Sequence, residues 1–140
     1  MNDQATALVI DLAKHVVGYM QTALPTWQEV YVRIDTPSDS QRGARVSYVD
    51  AQGVTIIDVI EHRDLIAGIL PIAHQLRDAL ANNGRKFRVC LFRANAKLDY
   101  HIDFEWSDAN KWAMTKLRGA TGLPIGLEAL PPLGEPDTRQ

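Results

Sequence analysis

The chain has 140 residues, 46% hydrophobic and 23% charged, with a net charge of −2 and an isoelectric point near 6.0. These are ordinary values for one globular domain, which at this length buries roughly two-thirds of its unfolded surface. A single cysteine, Cys90, excludes an intramolecular disulfide framework and a multi-thiolate zinc site. The mild acidity argues against non-specific nucleic-acid binding, and no apolar run reaches the ~18 residues of a membrane span.

At the N-terminus, Asp3 precedes every basic residue, and Asp11 and Lys14 interrupt the apolar positions. A secretory leader needs the opposite pattern, so a cytoplasmic protein is expected. Residues 4–23 carry Leu8, Val9, Leu12, Val16, Val17 and Met20 at three- and four-residue spacing, which predicts an amphipathic helix. Asn2 or Asp3 caps it and Pro25 ends it. Residues 28–35 switch to period two, with Val30, Val32 and Ile34 on one side of a strand. A polar loop over 36–43 leads to a second strand at 44–50, a turn at Asp50-Ala51-Gln52-Gly53 and a third strand at 54–60. Helical spacing returns over 63–82 through Leu65, Ile69, Ala73, Leu76 and Leu80. Pro71 interrupts that pattern, and a helix starting near it is the preferred reading, because proline is favoured in a first turn.

Two strands follow, at 86–93 and 97–106, joined by Ala94-Asn95-Ala96-Lys97. A four-residue loop would place Arg93 opposite Leu98, Leu91 opposite Tyr100, Val89 opposite Ile102 and Phe87 opposite Phe104. Those alternating apolar residues then form one buried face. A helix is expected at 108–118 around Trp112. Residues 119–140 hold four glycines and four prolines and read as an extended or mobile tail, of which 123–140 are expected to add little stability. The order α-β-β-β-α-β-β-α predicts an α+β domain over 1–118, with a mostly antiparallel sheet of about five strands and helices on one face.

No phosphate-binding glycine loop, G-x-S-x-G elbow or H-E-x-x-H pair occurs, so neither an enzyme activity nor a cofactor is expected. The sharpest surface pattern is Asp99, His101, Asp103 and Glu105, which alternate along the last strand with the apolar set. In the expected register Phe92, Cys90 and Arg88 stand across from the first three of them. The row reads in three ways. It is a solvated face with Asp103 paired to Arg88, or a docking surface for a basic partner, or a thiol or metal site that adds Cys90 to His101 and an aspartate. His15, His62 and His74 are scattered and read as structural. Arg85, Lys86 and Arg88 read as solvated edge charges, since no aromatic stacking partner is apparent on their face.

The chain resembles the YezG-like antitoxins, small bacterial immunity proteins that neutralise polymorphic toxins. The likeness is carried by Leu24-Pro25-Thr26-Trp27-Gln28-Glu29-Val30 leading into the first strand, by Tyr48, by Leu76-Arg77 and Gly84, and by Ile102-Asp103-Phe104-Glu105-Trp106 in the closing hairpin. It spans roughly residues 5–118. The resemblance implies a non-enzymatic inhibitor that binds a cognate protein toxin stoichiometrically, as a monomer or weak homodimer, with no nucleic-acid or membrane partner. The acidic row of Asp99, His101, Asp103 and Glu105, read above as a docking surface, is the physical complement of a toxin with a basic active site. The alternatives are a small ligand-binding or enzymatic domain with a pocket between sheet and helix, and a structural homodimer.

Overall fold

The computed structural model describes residues 1–38 and 41–134. Helix α1 (Asp3–Ala23) is followed by strands β1 (Glu29–Asp35), β2 (Gly43–Asp50) and β3 (Gly53–Ile56). Helix α2 (Arg63–Ala79) precedes β4 (Val89–Asn95) and β5 (Tyr100–Glu105). The strands form one five-stranded antiparallel sheet in the order β3-β2-β1-β4-β5. The α+β expectation therefore holds. No helix among the described residues is long and apolar enough to cross a membrane.

Both helices lie on one face of the sheet. Asn2 caps α1, its side-chain oxygen accepting from the Ala5 amide at 2.7 Å. Leu12, Val16 and Met20 of α1 and Leu65, Ile69 and Ala73 of α2 bury against Val30, Val32, Ile34, Val46, Cys90 and Phe92. The helices approach closely at Gly68, where a Cβ would collide with the His15 ring. His15 Nε2 sits 2.8 Å from the Leu65 carbonyl, and Tyr19 Oη sits 2.7 Å from His62 Nδ1. These two histidines join the helices to each other and to the loop before α2.

Helix α2 runs unbroken through Pro71 rather than starting there. Pro71 is exposed, so the lost hydrogen bond falls on the solvent side. The buried stripe of Leu65, Ile69, Ala73 and Leu76 holds the turns on either side. Strand β3 ends at Ile56, short of the expected 54–60. Asp58 then starts a turn by accepting from the Ile60 and Glu61 amides at 2.8 and 3.1 Å.

The closing hairpin departs from the expected register. Leu91 pairs with Asp103, Phe92 with Ile102, Arg93 with His101 and Ala94 with Tyr100. The connection is Ala96-Lys97-Leu98, closed by Asn95 and Asp99. Asn95 Oδ1 accepts from the amides of Lys97 and Asp99 at 3.1 and 3.0 Å, and Leu98 adopts φ 72°. A type I turn followed by a left-handed residue makes a three-residue loop. Changing the loop from four residues to three reverses which faces of the two strands coincide. Cys90, Phe92 and Ala94 therefore join Ile102 and Phe104 on the helical side. Val89 and Leu91 point to the other face, and Tyr100 is 45% exposed rather than buried. Phe87 still meets Phe104 edge-on at 5.2 Å, from just before the strand begins.

The second face of the sheet is not open. Tyr31, Val89 and Leu91 bury there against Trp112 and Met114, with Leu123, Leu127 and Leu130 packed alongside. The expected helix at 108–118 is absent; the chain runs irregularly, with Trp112 at φ 58° and 3-10 turns at Leu117–Gly119 and Leu127–Ala129. Arginines of the sheet take the carbonyls that a helix would use. Arg33 donates to Ala109 and Lys111 oxygens at 2.9 and 2.8 Å, and Arg45 donates to the Met114 oxygen at 2.8 Å. Residues 120–134 lie across the sheet as a strap, so of the expected extended or mobile tail this stretch is extended and packed on the domain. The remainder of that tail, 135–140, lies outside the described residues.

Candidate functional site

Strand β5 is an outer strand of the sheet and carries the acidic row along one side, as its alternation predicts. The row faces the strap, and each member has a definite internal partner. Asp99, just ahead of the strand, accepts from Asn95 Nδ2 at 3.1 Å. His101 Nε2 lies 3.4 Å from Asp103 Oδ1, and Asp103 Oδ2 lies 3.7 Å from the Arg93 guanidinium. Arg93 in turn donates to the Pro131 carbonyl at 2.9 Å. The expected Asp103–Arg88 pair is replaced by Asp103–Arg93, a consequence of the three-residue loop.

Glu105 performs a local task. Its Oε2 accepts from the Ser107 and Asp108 amides at 2.9 and 3.1 Å, and Oε1 lies 4.0 Å from Lys111 Nζ. The two backbone hydrogen bonds favour the ionised form and hold the Glu105 carboxyl below its ordinary pKa. They also turn the chain away from β5 into the strap.

Exposure divides the row. The Asp103 side chain is 13% exposed and that of Glu105 23%, against 37% for His101. His101, towards the hairpin tip, is the most exposed of these three, and Asp99 beyond it is half-buried. The hairpin tip also exposes Leu98 and Tyr100, the latter on the helical side against Phe92. A small cavity of about 60 Å³ opens between His101, Tyr100, Arg93 and the strap at Pro131 and Leu133.

Cys90 is fully buried on the helical side, and burial pushes its thiol up. It is across the sheet from His101, so the thiol or metal reading of the row fails on geometry. No cluster of three His, Cys, Asp or Glu side chains able to hold a metal occurs among the described residues.

Sequence reasoning missed the arginines. Arg33, Arg45 and Arg93 all project onto the second face, from β1, β2 and β4. The available signal was their position: each alternates with the apolar residues of its strand, on a face that a solvated sheet would leave free. Removing one partner of a buried charged hydrogen bond leaves the other unsatisfied. Arg93→Ala is therefore expected to cost about 2–3 kcal/mol, measured by urea denaturation. The double variant Arg93→Ala/Asp103→Ala should cost less than the two single changes added together. Strict additivity would mean that the pair does not interact.

No family model and no curated protein matches this chain. The functional reading therefore stands on the geometry of the β5 edge and on the resemblance described above.

Proposed function

We propose that this protein is an immunity-type inhibitor that neutralises a cognate toxin by stoichiometric binding, and that it docks through the outer edge of β5. One observation carries the reading. The hairpin tip presents Tyr100, 45% exposed and stacked on Phe92 on the helical side, and carries Asp99 and His101 on the opposite side of the same outer strand, whose base is fixed by Arg93 and Asn95. Tyrosine is enriched among residues that dominate binding energy, and an edge strand offers unpaired backbone groups to a partner. Negative charge at such an edge speeds encounter with a basic surface. A tip held in place before binding loses less freedom on association.

The test is binding to the polypeptide encoded beside this chain's own reading frame. A 1:1 complex is expected by light scattering, with weaker affinity at moderate than at low salt. Asp99→Lys/Tyr100→Ala should weaken that affinity about thirtyfold, the equivalent of about 2 kcal/mol. Circular dichroism should remain that of the parent protein. Asp103 and Glu105 are left intact because both hold the fold. Absence of a complex, together with failure to protect cells that express the neighbouring polypeptide, would overturn the proposal. A parent-like affinity in the folded double variant would remove the β5 edge as the docking site.

A further inference from the structure

A second cavity lies at the other end of the β4–β5 pair from the hairpin tip. It measures about 340 Å³ and is lined by Thr36, Arg77, Arg85, Lys86, Arg88 and Trp106, among others. Four cationic side chains converge on it, and no carboxylate is among its described lining residues. This is a local concentration, since the chain as a whole has a net charge of −2. Lys86 is paired with Asp78 at 3.4 Å and Arg85 donates to the Ser107 hydroxyl at 2.9 Å, and the excess of cations bordering the hollow favours an anion there.

The walls come from separate parts of the chain. Arg77 stands in the last turn of α2, where a cation suits the helix dipole, and is only 7% exposed. Arg85, Lys86 and Arg88 follow the turn at Asn83 and Gly84, whose backbones are left-handed at φ 51° and 77°. Thr36 fastens the end of β1 to this segment. Its hydroxyl donates to the Phe87 carbonyl at 2.6 Å and its amide donates to the Arg88 carbonyl at 2.9 Å. The Arg88 amide donates to the Glu105 carbonyl at 2.8 Å. The basic segment is thus pinned on both sides, and its side chains are presented from a fixed backbone.

Trp106 supplies the aromatic partner that sequence reasoning did not place beside these cations. It is half-buried, with Phe87 edge-on at 6.4 Å and the Arg85 guanidinium 5.9 Å from its ring centroid. Guanidinium groups bind phosphate oxygens in pairs, and an indole offers a surface for a planar ring. The volume is within the range of small-molecule sites.

We infer that this hollow binds a phosphorylated small molecule with a planar ring, of mononucleotide size, its phosphate held by Arg77, Arg85 and Arg88 and its ring against Trp106. This site is independent of the β5 tip and of the inhibitor reading.

The experiment titrates the full chain with adenosine 5′-monophosphate, adenosine and inorganic phosphate in parallel, following tryptophan fluorescence and thermal melting. The monophosphate is expected to saturate below about 1 mM, quench fluorescence and raise the melting temperature. Adenosine and phosphate should each bind at least about tenfold more weakly. Arg85→Ala/Arg88→Ala removes two exposed side chains and should weaken the monophosphate by about tenfold or more, while Arg88→Lys, which keeps the charge, should weaken it less. Trp106→Leu should weaken the monophosphate and leave phosphate unchanged by the melting readout. No saturation by the monophosphate, or equal affinity in the folded double-alanine variant, would overturn the site. Phosphate binding as tightly as the monophosphate would overturn the assignment of a ring to Trp106.

Discussion

Ending the chain at Gly119 is expected to destabilise the protein by about 5 kcal/mol and to lower its melting temperature by more than about 10 °C. Leu123, Leu127 and Leu130 are packed against Tyr31, Val89, Leu91, Trp112 and Met114, and a half-buried leucine contributes roughly 1 kcal/mol. The same truncation removes the Pro131 carbonyl and leaves the Arg93 guanidinium, in a residue only 4% exposed, short of an acceptor. A charged hydrogen bond lost in that way costs roughly 1.5–3 kcal/mol. Since a domain's whole stability is roughly 5–15 kcal/mol, the truncated chain is expected to be marginal at best. Differential scanning calorimetry of the two lengths decides it. A melting temperature that barely moves would mean that the strap adds no stability and that the Gly/Pro-rich stretch is a tail after all.

Phe92→Ala is expected to cost about 3–5 kcal/mol, the usual range for a buried phenylalanine. Phe92 has no exposed surface, sits mid-strand in β4 under both helices and stacks on Tyr100 with ring centroids 6.1 Å apart. Phe104→Ala should cost less, about 1–2 kcal/mol, because that ring lies on an outer strand and is only partly buried. The comparison tests the hairpin register. With a four-residue loop Phe92 would lie on the acidic side and Phe104 in the core, and the two costs would exchange order. Chemical denaturation of both variants, read at equal slope, separates the registers.

Much of this architecture is legible in the sequence because its signals are local. The three- and four-residue spacing of Leu8, Leu12, Val16 and Met20 defines α1, and the alternation of Val30, Val32 and Ile34 defines β1. Short connections force antiparallel neighbours, so the β1–β2–β3 and β4–β5 pairings follow from the element order, whereas the β1–β4 pairing that joins them does not. The placement of Asp99, His101, Asp103 and Glu105 along one side of the last strand is legible for the same reason. Which residues stand across from them is not. That depends on whether Asn95 closes a loop of three residues or lies within one of four, and Asn95 does the former with two side-chain hydrogen bonds to the amides of Lys97 and Asp99.

The sequence by itself determined α1, a second helical segment, the five strands, the antiparallel pairing of strands joined by short loops and the alternation of acid and apolar side chains on the last strand. All of these follow from patterns within a few residues. Only the tertiary structure decided three further matters. Burial on both faces of β4 holds Val89 and Leu91 under the strap, while Arg33, Arg45 and Arg93 capture carbonyls at 109, 111, 114 and 131 and prevent a final helix. The acidic row is consequently anchored by internal partners, with His101 more exposed than Asp103 or Glu105. Trp106 meets Arg77, Arg85 and Arg88 around one hollow although Trp106 lies at least eighteen positions from each of them in the chain. The physical reason is the same in each case. These contacts join segments far apart in sequence, and their partners are fixed by packing and by where buried hydrogen-bonding groups find acceptors, neither of which leaves a period in the chain.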